Sequence, residues 1–324
     1  MTGLNRREFI QRSVKAGLIS ASALGVGWWR HATEPPALEP SAQALNGIPD
    51  FSKPPDGGPA MAIAKGTDRA AMVHRTLGAL GGIKRFVRPG NRVVIKVNAA
   101  FASPPAISAT SHPDLVKAVV MACREAGAAD VIVTDNPIND PASCFRLTGI
   151  GPAAEAAGGR VVLPTADRFA AVTLDGARLI RDWPVLVGPL DQADCLIGMA
   201  PLKDHHRSGA SMTIKNWYGL LGGRRNVFHQ DIHTIIAELA ALVRPTLVIL
   251  DAVTAMMHNG PTGGSISDLA ATNTLVAGID PVAVDAAGVE ILGRQLDQLP
   301  HLQQAADAGL GTLDYRTLNP VAVP

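Results

Sequence analysis

The amino-acid sequence predicts a three-layer α/β fold in which helices cover both faces of a mostly parallel sheet. Residues 92–97 (RVVIKV) form a short, nearly continuous apolar run, which is typical of a parallel strand buried on both faces. A helix pattern follows at 114–125, with Pro113 at its start and Gly127 just past its end, the positions that these two residues favour. A second apolar run at 130–134 (DVIVT) completes a β-α-β unit, for which a right-handed crossover is expected.

The remaining apolar runs extend this pattern along the chain. The stretch 164–190 is punctuated by proline and glycine and is the candidate for an inserted lobe. We assign residues 61–324 to a single α/β domain. Further strands are predicted at 160–163, 195–199, 246–250 and 274–277, and helices at 232–243 and 281–292.

The first 44 residues have the order of an export signal. The pair Arg6-Arg7 is followed by Glu8, Phe9 and Ile10, then by further basic residues and a weakly apolar stretch at 16–29. The sequence Ala42-Gln43-Ala44 is a small-x-small cleavage pattern. This order predicts a twin-arginine signal and therefore a periplasmic protein, with the translocase as a partner during export. Because that route carries folded proteins, it favours a cofactor that is inserted before export.

Composition narrows the classes of function. Residues 1–44 contain five of the 29 basic and three of the 28 acidic residues, so the remainder carries 24 and 25 and is nearly neutral. A neutral chain gives no electrostatic case for nucleic acid, and a membrane contact is expected only through the signal segment if it stays uncleaved. The Pro- and Gly-rich residues 45–60 form a predicted tether. The three cysteines contain no C-x-x-C pattern, so we expect neither a disulfide framework nor an iron–sulfur cluster.

Polar residues collect where the predicted strands end. Lys96 and Asn98 close the first strand of the β-α-β unit and Asp135 follows the second, while Lys203 and His205 follow the strand at 195–199. Asp251 and Asp280 follow the last two predicted strands. Since ligands of open α/β sheets bind beyond the carboxyl ends of the strands, we expect a site at this edge.

The block 203–233 is the densest in chemistry-bearing side chains. It holds four of the nine histidines, together with Lys203, Lys215 and three arginines. Its glycine-rich piece 219–223 precedes Arg224 and is a candidate for wrapping an anion with backbone N–H groups. His229 and His233 are four residues apart, a metal-ligand spacing if both are helical. If Asp231 is instead the N-cap of the following helix, His229 lies in the preceding loop.

At these motifs the sequence resembles the bacterial and archaeal proteins that carry domain of unknown function 362. The resemblance covers most of residues 60–315 and implies no particular reaction. Some relatives carry a cysteine-rich ferredoxin-like segment that this chain lacks. The landmarks are Lys96-Val97-Asn98, Thr110 to Pro113, Pro201 to His205, Gly209 with Thr213 to Asn216, Gly219, His229, Asp251, Gly260 to Gly263 and Asp280 to Asp285.

A second similarity concerns the nickel-pincer lactate racemases. These enzymes have a histidine, then Gly-x-Ser-Gly, then a lysine that holds the cofactor. Here His205 is followed by Gly209, Ser211 and Lys215 in similar order, with Met212 at the place of the second glycine. This similarity implies that Lys215 is a candidate anchor for a covalently held organic cofactor.

Two hypotheses of function follow. In the first, the chain is an exported enzyme, dependent on a divalent metal or an organic cofactor, that acts on a small anionic substrate by proton transfer or redox chemistry. Its predicted catalytic residues are His205, Lys215 and His229, because imidazole titrates near neutral pH and a lysine crowded by cations is a nucleophile. In the second, the chain is a non-catalytic periplasmic protein that binds an organic anion or a metal. The predicted anion-binding residues are Lys96, Asn98, Lys203, Asn216 and Arg224, and the predicted metal ligands are Asp251 and His233.

Overall fold

The chain is organised around a mixed sheet, here taken from a computed structural model that describes residues 48–52 and 57–324. The predicted signal, residues 1–44, and part of the predicted tether, residues 45–47 and 53–56, lie outside the described residues. The strands are β1 (Met61–Lys65), β2 (Arg92–Lys96), β3 (Asp130–Thr134), β4 (Arg160–Val161), β5 (Phe169–Val172), β6 (Trp183–Leu186), β7 (Cys195–His205), β8 (Gly209–Ser211), β9 (Leu247–Met256), β10 (Leu269–Gly278) and β11 (Val321–Val323).

The main sheet has the strand order β11-β1-β10-β9-β7-β2-β3-β4, with β8 paired to the far end of β7. Strands β9, β7, β2, β3 and β4 are mutually parallel, whereas β10 runs antiparallel to both of its neighbours. The mostly parallel sheet that the sequence predicts is therefore confirmed. The strand predicted at 130–134 has the same bounds in the structure.

Helices cover both faces of this sheet, which confirms the three-layer α/β fold. Along β2, the side chains of Val93 and Ile95 pack in one core and that of Val94 in the other, as expected for a strand buried on both sides. Helices α1, α2 and α4 cover the first face, and α5 to α8 cover the second. The helices are α1 (Arg69–Ala79), α2 (Pro113–Glu125), α3 (Pro141–Leu147), α4 (Ile150–Ala156), α5 (Thr213–Asn216), α6 (Ile232–Leu242), α7 (Pro281–Ile291) and α8 (Pro300–Asp307).

The β-α-β unit has the predicted local features. Helix α2 begins at Pro113, and the Nδ1 atom of His112 accepts a hydrogen bond from the backbone N–H of Asp114 at 3.3 Å. Gly127 follows the helix with a φ of +93°, a conformation that favours glycine. Strands β2 and β3 then pair in parallel, with Lys96 opposite Thr134. Their carboxyl ends therefore lie side by side.

Strand β7 is longer than predicted, and this changes where two site residues sit. The predicted strand ends at Met199, but β7 continues to His205 as one arm of a hairpin with β8, in which Lys203 lies opposite Ser211. The ladder to β9 shifts register between Pro201 and Lys203, because proline has no N–H to donate. Lys203 and His205 therefore lie on a strand. The sequence pattern predicted instead that they lie in the connection after that strand.

The stretch 164–190 contains the two-stranded sheet of β5 and β6, separate from the main sheet. Its apolar side chains Val172, Ile180, Val185 and Leu186 are buried in the core on the α5–α8 face. Val185 also forms a β-bridge with Leu221. This segment therefore lies against the glycine-rich piece at 219–223. No helix within the described residues is both long and apolar enough to cross a membrane.

Candidate active site

A cavity of about 100 Å³ lies at the carboxyl ends of β2, β3 and β7. This volume corresponds to a molecule of roughly ten non-hydrogen atoms or fewer. Its charged side chains are four cations and one carboxylate. The predicted site residues that line it are Lys96, Asn98, Lys203, His205, Lys215, Asn216 and His229, and the structure adds Asp135, Tyr218 and Arg225.

The carboxylate is already paired. Lys96 Nζ lies 2.7 Å from Asp135 Oδ1, and both side chains are buried, with exposed fractions of 1% and 2%. The other carboxylate oxygen of Asp135 accepts the backbone N–H of Ala99 at 2.6 Å. Burial lowers the pKa of Lys96, and the ion pair with Asp135 opposes that change. Because this carboxylate neutralises Lys96, the other three cations of the cavity have no counter-ion within the part of the chain that the structure describes.

Two asparagines join this ion pair to the cavity. Asn216 Oδ1 accepts hydrogen bonds from Lys96 Nζ and from Asn98 Nδ2, each at 3.1 Å. The Oδ1 atom of Asn98 is buried and has no hydrogen-bond partner within the described residues. An unsatisfied buried acceptor is costly, so this atom is a position where a ligand hydroxyl or N–H fits.

Helix α5 positions Asn216 and Lys215, and a buried carboxylate holds its first turn. Asp285 accepts the backbone N–H of Thr213 at 2.8 Å and that of Ile214 at 3.0 Å, and also the Thr213 hydroxyl at 2.6 Å. Negative charge at a helix N-terminus is favourable. The sequence landmark Asp280 to Asp285 therefore contributes to the site indirectly, because its last residue, Asp285, positions helix α5.

Lys203 and Lys215 are the two lysines of the cavity that have no carboxylate partner among the described residues. Burial, together with the charges of Lys215 and Lys96, lowers the pKa of Lys203 to about 7 against the opposing effect of Asp135. Burial and the nearby charges of Arg225 and Lys96 lower the pKa of Lys215 to about 8. Lys203 Nζ donates to the Ala109 carbonyl. Lys215 Nζ has no hydrogen bond or ion pair among the described residues and lies 5.3 Å from the centre of the Tyr218 ring.

The arginine that lines the cavity is Arg225, whereas Arg224 is exposed and does not line it. The two terminal nitrogens of Arg225 donate to four backbone carbonyls, those of Tyr218, Leu221, Asn136 and Pro137, at 2.8 to 3.3 Å. Its guanidinium group is therefore held rigidly. It supplies positive charge to the cavity while its terminal N–H groups are occupied.

The two histidines in the cavity differ in tautomer. His205 Nδ1 accepts the backbone N–H groups of Arg207 and Ser208 at 3.3 Å, so the hydrogen of its neutral ring lies on Nε2. His229 Nδ1 lies 3.3 Å from the Asn226 carbonyl, which only accepts, so its hydrogen lies on Nδ1 and its Nε2 carries the lone pair. The ring centres are 6.2 Å apart and the rings are nearly parallel. The cavity thus contains one imidazole donor and one imidazole acceptor.

The surroundings keep both rings neutral. Burial and the charges of Lys215 and Lys203 lower the pKa of His205 to about 2. Burial and Lys215 also lower the pKa of His229. The neutral form of His205 is therefore strongly favoured, and its Nε2–H group is a hydrogen-bond donor. Tyr218 is the third member of the group: its hydroxyl donates to the Arg225 carbonyl and lies 3.1 Å from His229 Nδ1.

The structure does not bring the two predicted metal ligands to this cavity or to each other. Asp251 Oδ2 accepts a hydrogen bond from Arg69 Nε at 2.7 Å, an ion pair that joins α1 to β9. His233 lies on α6 with its Nδ1 atom 3.0 Å from that of His301 on α8. His229 lies in the 3-10 segment that precedes α6, so the two histidines four residues apart do not share one helix. No group of three or more metal-ligating side chains occurs among the described residues.

Comparison of the sequence with known proteins shows which family the chain belongs to. The chain is 28% identical over 260 residues to the thylakoid-associated protein sll1697 of Synechocystis sp., an alignment that covers 78% of this chain and 76% of that protein. A family model described as domain of unknown function (DUF362) matches residues 93–290. That range includes β2, β7, α5 and the hairpin between β7 and β8, the elements that carry the cavity. The chain therefore belongs to the DUF362 family.

Proposed function

We propose that this protein is an enzyme that catalyses proton transfer on a small carboxylate bearing a hydroxyl or oxo group. The observation that carries the proposal is the pair of His205 and His229, neutral and of opposite tautomer, in one small cavity lined by cations. A protein that only binds an anion needs the cations but has no need of an imidazole acceptor among them.

The cations define the charged end of the substrate. Lys203, Lys215 and Arg225 have no carboxylate partner within the described residues, and buried uncompensated charge is unfavourable. A bound anion relieves this repulsion, and it also raises the pKa of each lysine towards its ordinary value. The substrate carboxylate therefore lies beside Lys203 and Lys215, and Asn98 Oδ1 accepts a hydrogen bond from the substrate hydroxyl.

The histidines define the reaction. His229 Nε2, with its lone pair, accepts a proton from the carbon next to the substrate carbonyl. The electron pair moves onto the carbonyl oxygen, and the Nε2–H group of His205 donates a hydrogen bond to the developing negative charge. A neutral imidazole is suited to this electrophilic role, and the nearby lysines add electrostatic stabilisation. Return of the proton to the same carbon or a neighbouring one completes an isomerisation.

As an alternative to binding the substrate carboxylate as an ammonium group, Lys215 is the residue that would hold a covalently bound organic cofactor. Its amine is free of hydrogen-bond and ion-pair partners among the described residues, and its lowered pKa leaves much of it neutral at pH 8, which favours nucleophilic attack. The similarity in order to the nickel-pincer lactate racemases supports this role, since His205 and Lys215 both line the cavity. The residues predicted to hold a divalent metal, Asp251 and His233, do not fit one because they lie apart and have other partners.

We also propose that the enzyme works in the periplasm after twin-arginine export. The support is the order of the first 44 residues, with Arg6-Arg7 before Phe9 and a cleavage pattern at Ala42 to Ala44. The related protein from Synechocystis sp. is named as thylakoid-associated.

The proposal is tested by exchange of substrate hydrogen with solvent. Pyruvate, hydroxypyruvate and lactate are incubated in D₂O with the wild-type protein, and deuterium at carbon is followed by proton NMR against an enzyme-free blank. We expect faster exchange with wild type and with His74→Gln, a control at an exposed histidine, and loss of the acceleration in His229→Gln. Binding of these acids without any exchange would show the alternative, a non-catalytic binding protein.

A further inference from the structure

A second, wider cavity adjoins the first, and nothing in the proposed reaction uses it. Its volume is about 480 Å³, so it is large enough for a ring system, in the size range of ordinary ligand sites. Asn136, Ile138, Tyr218, Arg225 and His229 line both cavities. We call the two the inner and outer chambers. Since they share these five residues, the two chambers lie side by side, and one ligand can extend from one into the other.

The chemistry of the outer chamber differs from that of the inner one. The residues that line only the outer chamber are Pro137, Phe169, Gly222, Gly223 and Asn226, none of them charged. The Gly222 N–H donates to the Pro184 carbonyl at 2.7 Å, so this N–H group of the glycine-rich piece is not available to an anion. An uncharged part of a ligand is therefore expected to bind in this chamber in preference to an anionic part.

Arg225, at the boundary of the two chambers, can contact a ligand through the flat face of its guanidinium group but not through its terminal N–H groups. Its terminal N–H groups, which point outward in the guanidinium plane, are used by the four carbonyls described above, and the group lies 6.0 Å from the centre of the Tyr218 ring. A guanidinium plane fixed in this way still stacks on an aromatic ring through its face. The half-buried ring of Phe169 and the apolar side chain of Ile138, which is 66% exposed, complete the surroundings. A site that binds an aromatic group typically combines a planar cation, an aromatic ring and an exposed aliphatic side chain, as this chamber does.

We propose that the site takes a two-part ligand, whose carboxylate head occupies the inner chamber and whose uncharged aromatic body occupies the outer chamber against Phe169 and Ile138. This inference rests on the proposed anion-binding function of the inner chamber. Because Phe169 begins β5, the segment 164–190 becomes the part of the chain that selects the body of the ligand. Gly222 is required in this arrangement, since a Cβ atom there would lie 2.7 Å from the Phe169 ring.

The test compares pyruvate with phenylpyruvate by isothermal titration calorimetry on the full chain. In the wild type, phenylpyruvate should bind at least tenfold more tightly. Phe169→Ala should remove most of this gain while leaving the affinity for pyruvate unchanged, and Tyr315→Ala, at an aromatic residue that lines neither chamber, should keep it. Ile138→Ser is the second variant, chosen because an exposed side chain is replaced without loss of folding, and it should also reduce the gain.

The outcomes separate the two proposals. Equal affinity for the two acids in the wild type would overturn the two-part ligand while leaving the anion site intact. A gain that persists in both Phe169→Ala and Ile138→Ser would show that the ring binds elsewhere and would overturn the assignment of the outer chamber. Failure of both acids to bind would overturn the anion site and, with it, this inference, whereas failure of phenylpyruvate alone would overturn only the two-part ligand.

Discussion

Lys96 and Asp135 form an ion pair, 2.7 Å from nitrogen to oxygen, that is almost completely shielded from solvent. The pairing of β2 with β3 sets Lys96 opposite Thr134, so Asp135 follows directly at the point where both strands end. The pair lies at the base of the inner chamber and, through the bonds from Lys96 Nζ to Asn216, fixes the end of helix α5, which carries Lys215. It also uses the one carboxylate among the residues that line the chamber, which leaves the remaining cations to a ligand.

Breaking this pair should cost much more stability than breaking an exposed one. Lys96→Ala leaves the buried Asp135 carboxylate without its partner, a change that typically costs about 3–5 kcal/mol. The matched control is Arg160→Ala, which breaks the pair of Arg160 and Asp130, where the side chains are 51% and 26% exposed. Exposed pairs contribute about 0–1 kcal/mol. Urea unfolding gives both free energies, and similar losses in the two variants would contradict the account.

Gly219 should be intolerant of even a methyl group. A Cβ atom at this position would overlap Asp135 Oδ1 and lie 2.5 Å from Lys96 Nζ, so Gly219→Ala must displace the buried pair. We expect a loss of stability on the order of 2–4 kcal/mol, as for other overpacked or broken buried contacts. Gly78→Ala is the control, because Gly78 lies in α1 and a Cβ atom there would have no neighbouring atom within 4 Å. It should be neutral or stabilising by about 0.5–1 kcal/mol. Equal melting temperatures of Gly219→Ala and wild type would refute the steric argument.

Binding of an anion should weaken as pH rises through neutrality. The pKa values of Lys203 and Lys215 are lowered to about 7 and about 8, so the unliganded site loses positive charge over this range. An anion binds the protonated form, so its affinity is fully present only well below the Lys203 pKa of about 7, and it falls as the pH rises through about 7 and about 8. Sulfate is a suitable probe because its charge does not change in this range. A dissociation constant that stays constant from pH 6 to pH 9 would contradict the proposed role of the lysines.

Export should depend on the arginine pair. The double change Arg6→Lys and Arg7→Lys keeps the charge but replaces guanidinium groups by ammonium groups, which do not present the same planar donors. We expect the double variant to accumulate in the cytoplasm, while Arg12→Lys, a change at a basic residue outside the pair, leaves export intact. Cell fractionation with immunoblotting distinguishes the two. Periplasmic accumulation of the double variant, or of wild type in a strain without the translocase, would refute the signal.

The parts of the site that the sequence predicts are those at the ends of regular strands. Lys96 and Asn98 lie at the expected edge because a short apolar run fixes where β2 ends. Lys203 also lines the cavity, although β7 continues past the predicted end at Met199 to His205. The ion pair of Asp135 with Lys96 cannot be predicted from an apolar run, since it depends on which strands are neighbours in the sheet. Arg224 and Arg225 are adjacent in the sequence, and only the 3-10 segment that begins at Arg225 decides which one turns inward.

The predicted metal site illustrates the opposite case. Asp251 follows a predicted strand as expected, but β9 continues past it to Met256. Asp251 therefore lies within a strand, where Arg69 of α1 reaches it. His233 lies on the buried side of α6 towards His301, a contact between helices 68 residues apart in the sequence. Local spacing carries no information about either partner.

The most direct test of the central claim is the affinity of the inner chamber for a small carboxylate with and without Lys215. Pyruvate is titrated calorimetrically at pH 6.5, where both lysines are protonated, into wild type, Lys215→Met and Lys117→Met, the last a control at an exposed lysine of α2. The account predicts binding to wild type and control, and affinity at least tenfold lower in Lys215→Met with a melting temperature no lower than that of wild type, because the substitution removes a charge that other cations repel. Equal affinity in all three proteins would contradict it.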